Sequence, residues 1–152
     1  MSTQGVCGVL IEQDISQSMD SLPPNVIDIE VFEQLLEMDE DDQEFSRSLV
    51  YNYFEQAEST FEKMRDALES QNLEELSTLG HFLKGSSAAV GVIKVRDSCE
   101  AMQHYGRQHG ADGVTELARE DAIDKLTKTL EQVKNQYAEA EAILRAFFHA
   151  TA

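Results

Sequence analysis

The segment Gly80-His81-Phe82-Leu83-Lys84-Gly85-Ser86-Ser87-Ala88-Ala89-Val90-Gly91 concentrates the residue types able to do chemistry in this 152-residue chain. A neutral imidazole nitrogen is a competent nucleophile near pH 7, needs no strong base to activate it, and can hold a phosphoryl group as a labile phosphoramidate. On a helix turning about 100° per residue, His81 points about 160° away from Leu83 and about 140° from Leu76, so it must project from the outside of whatever those leucines pack against. Lys84 lies about 60° round from it and one turn along, Gly85 and Ser77 about 40° away, and Ala88 about 20° away. The imidazole is therefore bordered by small side chains and one ammonium. Lys84 would attract a donor phosphate as a point charge, and Gly85 would let a partner's active site approach the ring closely. Glycines inside a helix cost roughly 1 kcal/mol each relative to alanine, so something must offset that cost or use the room. The plainer alternative is that His81 is only a surface residue and the small residues only permit tight helix packing. Packing is also the better role for Ser86 and Ser87, since no acid–histidine relay accompanies them as it would a serine nucleophile.

The pattern His81-x-x-Lys84-Gly85-Ser86-Ser87-x-x-x-Gly91 resembles the signature of histidine-containing phosphotransfer domains, the non-kinase carriers of multistep phosphorelays. The likeness covers about residues 28 to 148 and is strongest to fungal phosphorelay intermediates. It implies a four-helix bundle without ATP binding. His81 would accept a phosphoryl group from the receiver-domain aspartate of a hybrid sensor kinase and pass it to the receivers of response regulators, with Lys84 as electrostatic partner. The resemblance further implies a polar side chain of the next helix beside the imidazole, and Gln103 is the matching position. Gly85, Ser86, Ser87 and Gly91 would support the site. Docking would use the first helix and the surface round the histidine, here Val31, Leu35 and Met38 with Gly85 and Ala88. A core-facing role suits the Val31, Leu35, Met38 spacing equally well. The chain itself would need no cofactor, since magnesium would belong to the receiver partner. The carrier would be neither kinase nor ATPase, and would serve regulators in the cytoplasm and the nucleus.

Helices must position these residues. From Asp28, a plausible cap, Val31, Phe32, Leu35, Leu36 and Met38 fall on helical spacing. Phe45, Leu49, Tyr53, Ala57, Phe61, Met64 and Leu68 mark a long amphipathic helix, ended by Ser70-Gln71-Asn72. Leu73, Leu76, Leu79, Leu83, Ser87 and Val90 share one face of the next, which stops near Gly91. Val95, Cys99, Met102 and Tyr105 follow, up to a loop with Gly110 and Gly113. The last segment carries a heptad seam through Ile123, Leu126, Leu130, Val133, Tyr137, Ala140, Leu144 and Phe147. Such a seam can make a coiled-coil dimer, but beside several others joined by short loops it predicts an intramolecular bundle and a monomer. No alternating strand pattern survives. The expected fold is all-α, an up-down-up-down four-helix bundle over residues 27–150 with a short additional N-terminal helix. Residues 1–26, ending at Pro23-Pro24, are expected to form a flexible arm.

Composition narrows the partners. The chain has 29 acidic and 12 basic side chains, a formal net charge of -17. Nucleic acid and anionic membrane bind through Lys and Arg, so neither suits this surface, and association with protein is the better expectation. There is no Walker-type or protein-kinase glycine loop to cradle a nucleotide. His104, His109 and His149 lack the spacing of metal ligands, and Cys7 and Cys99 lie too far apart for a metal motif. The apolar run Val6 to Ile11 is too short for a signal or membrane segment, which predicts a soluble intracellular protein.

Overall fold

Polar residues at the helix ends decide where each element begins and stops. In the computed structural model, which describes Met19 and residues 21–151, Asp28 accepts a hydrogen bond from the Val31 N–H at 3.3 Å and caps α1 (Ile29–Glu37). The long α2 (Glu44–Glu69) ends where Gln71 turns through a φ of 56°, and Asn72 then caps α3 (Leu73–Val90) by accepting from the Glu75 N–H at 3.1 Å. Gly91 stops α3 in the left-handed region at a φ of 82°, a conformation that favours glycine. Two residues later α4 (Ile93–Gly106) begins, and after a longer loop α5 (Arg119–Ala150) closes the bundle.

Consecutive helices of the bundle run antiparallel. Lys94 meets Glu139 and Ser98 meets Gln136, so advancing along α4 retreats along α5. Tyr53 on α2 bonds Ser87 on α3 at 2.8 Å, and Tyr137 on α5 donates to the Phe54 carbonyl on α2 at 3.3 Å. Val50, Phe54, Met64, Leu76, Leu83, Cys99, Met102, Leu126 and Leu144 fill the centre. The heptad seam of α5 is largely spent here: Leu126, Leu130, Val133, Tyr137, Ala140, Leu144 and Phe147 are buried within the chain. No helix among the described residues is long and apolar enough to cross a membrane.

Three placements differ from the periodicity. Phe45 and Leu49 are not core: they are 46% and 37% exposed, while Ser46 and Val50 point inward. The Asp39 carboxylate accepts from both the Ser46 N–H at 2.8 Å and its hydroxyl at 2.6 Å, and this pins that side of α2 under the α1–α2 turn. On α1 the supposed docking stripe is split. Leu35 is buried with Phe32, which packs edge-on to Phe147 at 5.0 Å; Val31 is half-buried, and Met38 is 62% exposed. Residues 1–18 of the expected arm lie outside the described residues, but its last part is packed. Leu22 and Val26 are buried, the Ile93 N–H donates to the Val26 carbonyl at 3.1 Å and the Asp28 N–H to the Gly91 carbonyl at 2.8 Å. The proline pair thus builds a turn against the α3–α4 corner.

Cys99 is fully buried, and burial pushes its thiol up from 9.0 to about 12. A folded state that prefers the neutral thiol keeps this contribution at pH below about 9 and loses it as pH climbs toward about 12. The urea midpoint should therefore fall above pH 9 and fall less steeply in Cys99→Ala. Identical slopes for the two proteins would show that the thiol does not titrate with unfolding.

Candidate functional site

The site is made by how closely α3 and α4 approach. A Cβ on Gly80 would lie 2.9 Å from the Cys99 carbonyl oxygen and 3.1 Å from the Gln103 backbone nitrogen, so only glycine fits. One turn away the Ser77 hydroxyl donates to the Gln103 carbonyl at 3.0 Å, and Gly106 meets the α3 backbone at Leu73 and Ser77 with equally little room. This contact accounts for glycine in the middle of α3. It also brings two pairs of residues, each pair one helical turn apart, to the same level: His81 and Lys84 on α3, Glu100 and Gln103 on α4.

His81 is exposed, and its neighbour Phe82 is 49% exposed. Gly85 faces open space, with nothing within 4 Å of where a Cβ would stand. The Lys84 ammonium sits 3.2 Å from a Glu100 carboxylate oxygen, with the two side chains 35% and 50% exposed. Gln103 is only 9% exposed, since the tight helix contact at Gly80 meets its backbone. Its side-chain amide nevertheless makes no hydrogen bond among the described residues. It is not sealed off either, since the fully buried unpartnered side-chain atoms are Gln43 Nε2 and Arg47 Nε. The amide tip is therefore without a protein partner among the described residues and in reach of solvent.

The other motif residues act from behind. Ser87 is fully buried and joins Tyr53; burial raises the Tyr53 hydroxyl pKa, against the Ser87 bond, with the Cys99 thiol adding to the rise. Ser86 and Ala88 are half-buried, and Gly91 holds the end of α3 against Asp28, whose carbonyl would stand 3.0 Å from a Cβ there. These residues fix the helix that presents His81 and need touch no reactant. No group of three or more His, Cys, Asp or Glu side chains is placed to hold a metal ion among the described residues.

Helical spacing assigns no site role to Glu100, Arg107 or Phe82, and it places Phe45 and Leu49 on the apolar stripe of α2. Glu100 and Arg107 lie at i−3 and i+4 from Gln103, so helical spacing carried a signal for both. Arg107 lines a groove with Glu74, Ser77, Thr78 and Gly106. Phe82, next to the histidine in sequence, Leu49 and Phe45 on α2, and Met38 at the end of α1 are large apolar side chains left partly in water.

An exposed histidine one helical turn from a lysine, on the outside of a four-helix bundle, is the arrangement that the comparisons with known proteins place in a family. The Hpt domain family matches residues 48–142, well over half of the chain, and the chain belongs to that family. Multistep phosphorelay regulator 1 of Schizosaccharomyces pombe is 51% identical over 125 residues, covering 81% of this chain and 42% of that protein. Phosphorelay intermediate protein YPD1 of Candida albicans is 43% identical over 101 residues, 66% of this chain and 53% of that protein. The chain spans about half the length of these curated relatives. Among solved structures, that of yeast Ypd1p shares a TM-score of 0.73 at 28% identity, covering 85% of this chain and 98% of that one. The Saccharomyces cerevisiae histidine phosphotransfer signalling protein Ypd1, crystallised with the receiver domain of its downstream response regulator Ssk1, gives a TM-score of 0.75 at 27% identity, covering 87% of this chain and all of that one.

The two glycines of α3 should respond in opposite ways. Gly80→Ala drives a methyl into backbone and is expected to cost about 1–3 kcal/mol. Gly85→Ala meets nothing and should hold or gain up to about 1 kcal/mol from helix propensity. Urea unfolding of both variants checks this, and an unchanged Gly80→Ala midpoint would mean that the α3–α4 contact is looser than described.

Proposed function

We propose that this protein is a phosphorelay carrier that takes a phosphoryl group from the receiver aspartate of a hybrid sensor kinase onto His81 and gives it to the receiver aspartate of a response regulator. The observation that carries the proposal is the exposed imidazole of His81, in space cleared by Gly85 and on one face with the Lys84 ammonium. In the charging step an imidazole nitrogen attacks phosphorus, an N–P bond forms, the P–O bond of the aspartyl phosphate breaks, and its electron pair returns to the carboxylate. Lys84 offsets the charge that arrives with the group, and the Gln103 amide donates to a phosphoryl oxygen or orients the ring. Such transfer is mostly positioning and electrostatics, because the phosphoryl passes through a loose transition state. Magnesium belongs to the receiver. The carrier has no kinase or ATPase activity of its own, and works in cytoplasm and nucleus. The relay domain comprises residues 27–150 together with the packed Leu22 and Val26.

Receivers dock on the apolar surface beside the histidine. Met38, Phe45, Leu49 and Phe82 supply it, with Val31, Gly85 and Ala88 at its margin; Leu35 belongs to the core that supports it. The yeast relative's co-crystal with a receiver domain supports this assignment of partner class.

The deciding experiment mixes the protein, and His81→Gln beside it, with a receiver domain phosphorylated on aspartate in magnesium, and follows the label through acid and base. Acid-labile, base-stable label on the wild type and none on His81→Gln is the expected result; label on the variant, or none on either, refutes the carrier. Phe82→Ala or Leu49→Ala should weaken receiver binding by about 1–3 kcal/mol at unchanged stability, as truncation of apolar interface anchors does. Leu35→Ala should instead destabilise the fold by about 2–5 kcal/mol. Titration and urea unfolding separate the two effects.

A further inference from the structure

A carrier must hold a phosphoryl group and also let it go, and the ammonium beside His81 is not free to do only the first. Lys84 is committed to Glu100 at 3.2 Å across the α3–α4 contact. Each lies one turn from its own helix's site residue, Lys84 from His81 and Glu100 from Gln103, and Gly80 keeps the two backbones in register. We propose that Glu100 is a positioning residue that restrains the Lys84 ammonium and thereby keeps the phosphoryl group on His81 weakly held. This rests on the carrier reading above.

A phosphoryl group brings about two negative charges to the imidazole. It competes with the Glu100 carboxylate for Lys84, and that carboxylate repels it from the neighbouring turn. Both effects oppose charging of His81. The pair is partly exposed and screened, so the effect is modest: neutralising Glu100 is expected to speed charging about three- to ten-fold at low salt, and less at high salt where the Debye length shrinks to about 3 Å. A role in packing alone predicts no salt dependence.

Phosphoramidate serves as the probe because it needs no partner protein. Its P–N bond breaks, a new N–P bond forms on the imidazole, and ammonia leaves with the electron pair and takes up the ring proton as ammonium. Charging of wild type, Glu100→Gln, Glu100→Asp, Lys84→Ala and the Lys84→Ala, Glu100→Gln double variant is followed by phosphorus NMR at low and high salt, with His81→Gln as control. Glu100→Gln should charge about three- to ten-fold faster than wild type at low salt, with the gain reduced in high salt and reduced again in the Lys84→Ala background. Glu100→Asp should stay near wild type, and all melting temperatures should match. Equal or slower charging of Glu100→Gln, or a gain that ignores both salt and Lys84, overturns the inference while leaving the carrier intact. No charging of wild type, or equal charging of His81→Gln, overturns the carrier and this inference with it.

Discussion

Two helices touching backbone to backbone leave no room for a side chain at Gly80 or Gly106, and the rest of the site depends on that contact. It sets the register in which Glu100 and Gln103 of α4 stand level with His81 and Lys84 of α3. With an ordinary 8–10 Å separation filled by side chains, Gln103 would stand off from the imidazole and Lys84 from its carboxylate partner. The hydroxyl of Ser77 locks the contact from one side through the Gln103 carbonyl. From the other side the buried Ser87–Tyr53 bond ties α3 to α2. The helix that presents the histidine is thus held on two of its faces and left bare on a third.

That bare face works against the overall charge. A chain of net charge -17 repels a phosphoryl group at long range, although salt screens charges more than about 8–10 Å apart. Within about one turn of His81 the charges that count are the Lys84 ammonium and the Glu100 carboxylate paired with it, while Glu74 and Arg107 line the groove further along. For the proposed carrier, an ammonium already balanced by a carboxylate suits a group that must arrive and leave with similar ease, whereas a cluster of unpaired cations would trap it. The same acidity leaves apolar contact as the natural means of docking, and the exposed Met38, Phe45, Leu49 and Phe82 are the side chains that the proposed docking would cover.

The bundle was legible because most helices have one apolar stripe each and caps at Asp28, Asn72 and Gly91. The exposure of His81, the proposed nucleophile, is legible because it sits opposite Leu76 and Leu83 among small residues. On α2 the periodicity is ambiguous at its N-terminal end: Phe45, Leu49, Tyr53 and Ser46, Val50, Tyr53 are both helical series, and the larger side chains favour the first, whereas the second is buried. The choice between them is made by the Asp39–Ser46 hydrogen bonds, seven residues apart and invisible to a moment along one helix. Leu35 and Met38 share a stripe in sequence, yet the buried Phe32 and the shortness of α1 roll the first inward and leave the second free. The burial of Gln103 and the Lys84–Glu100 pair depend on inter-helix register, which single-helix spacing does not contain.

Separating support from chemistry lets one helix serve both. Buried Gly80 packs on α4 and buried Ser87 bonds α2, whereas His81 and Gly85 are exposed and Lys84 makes only a partly exposed ion pair, so the stability of the bundle owes little to those three. An exposed ion pair such as Lys84–Glu100 contributes at most about 1 kcal/mol to folding. Electrostatic terms of that size are minor for the fold, yet a change of about 1.4 kcal/mol is a factor of ten in a transfer equilibrium or rate. In the proposed carrier, substitutions on the surface of α3 and α4 can therefore tune how tightly a phosphoryl group is held without disturbing the core beneath it.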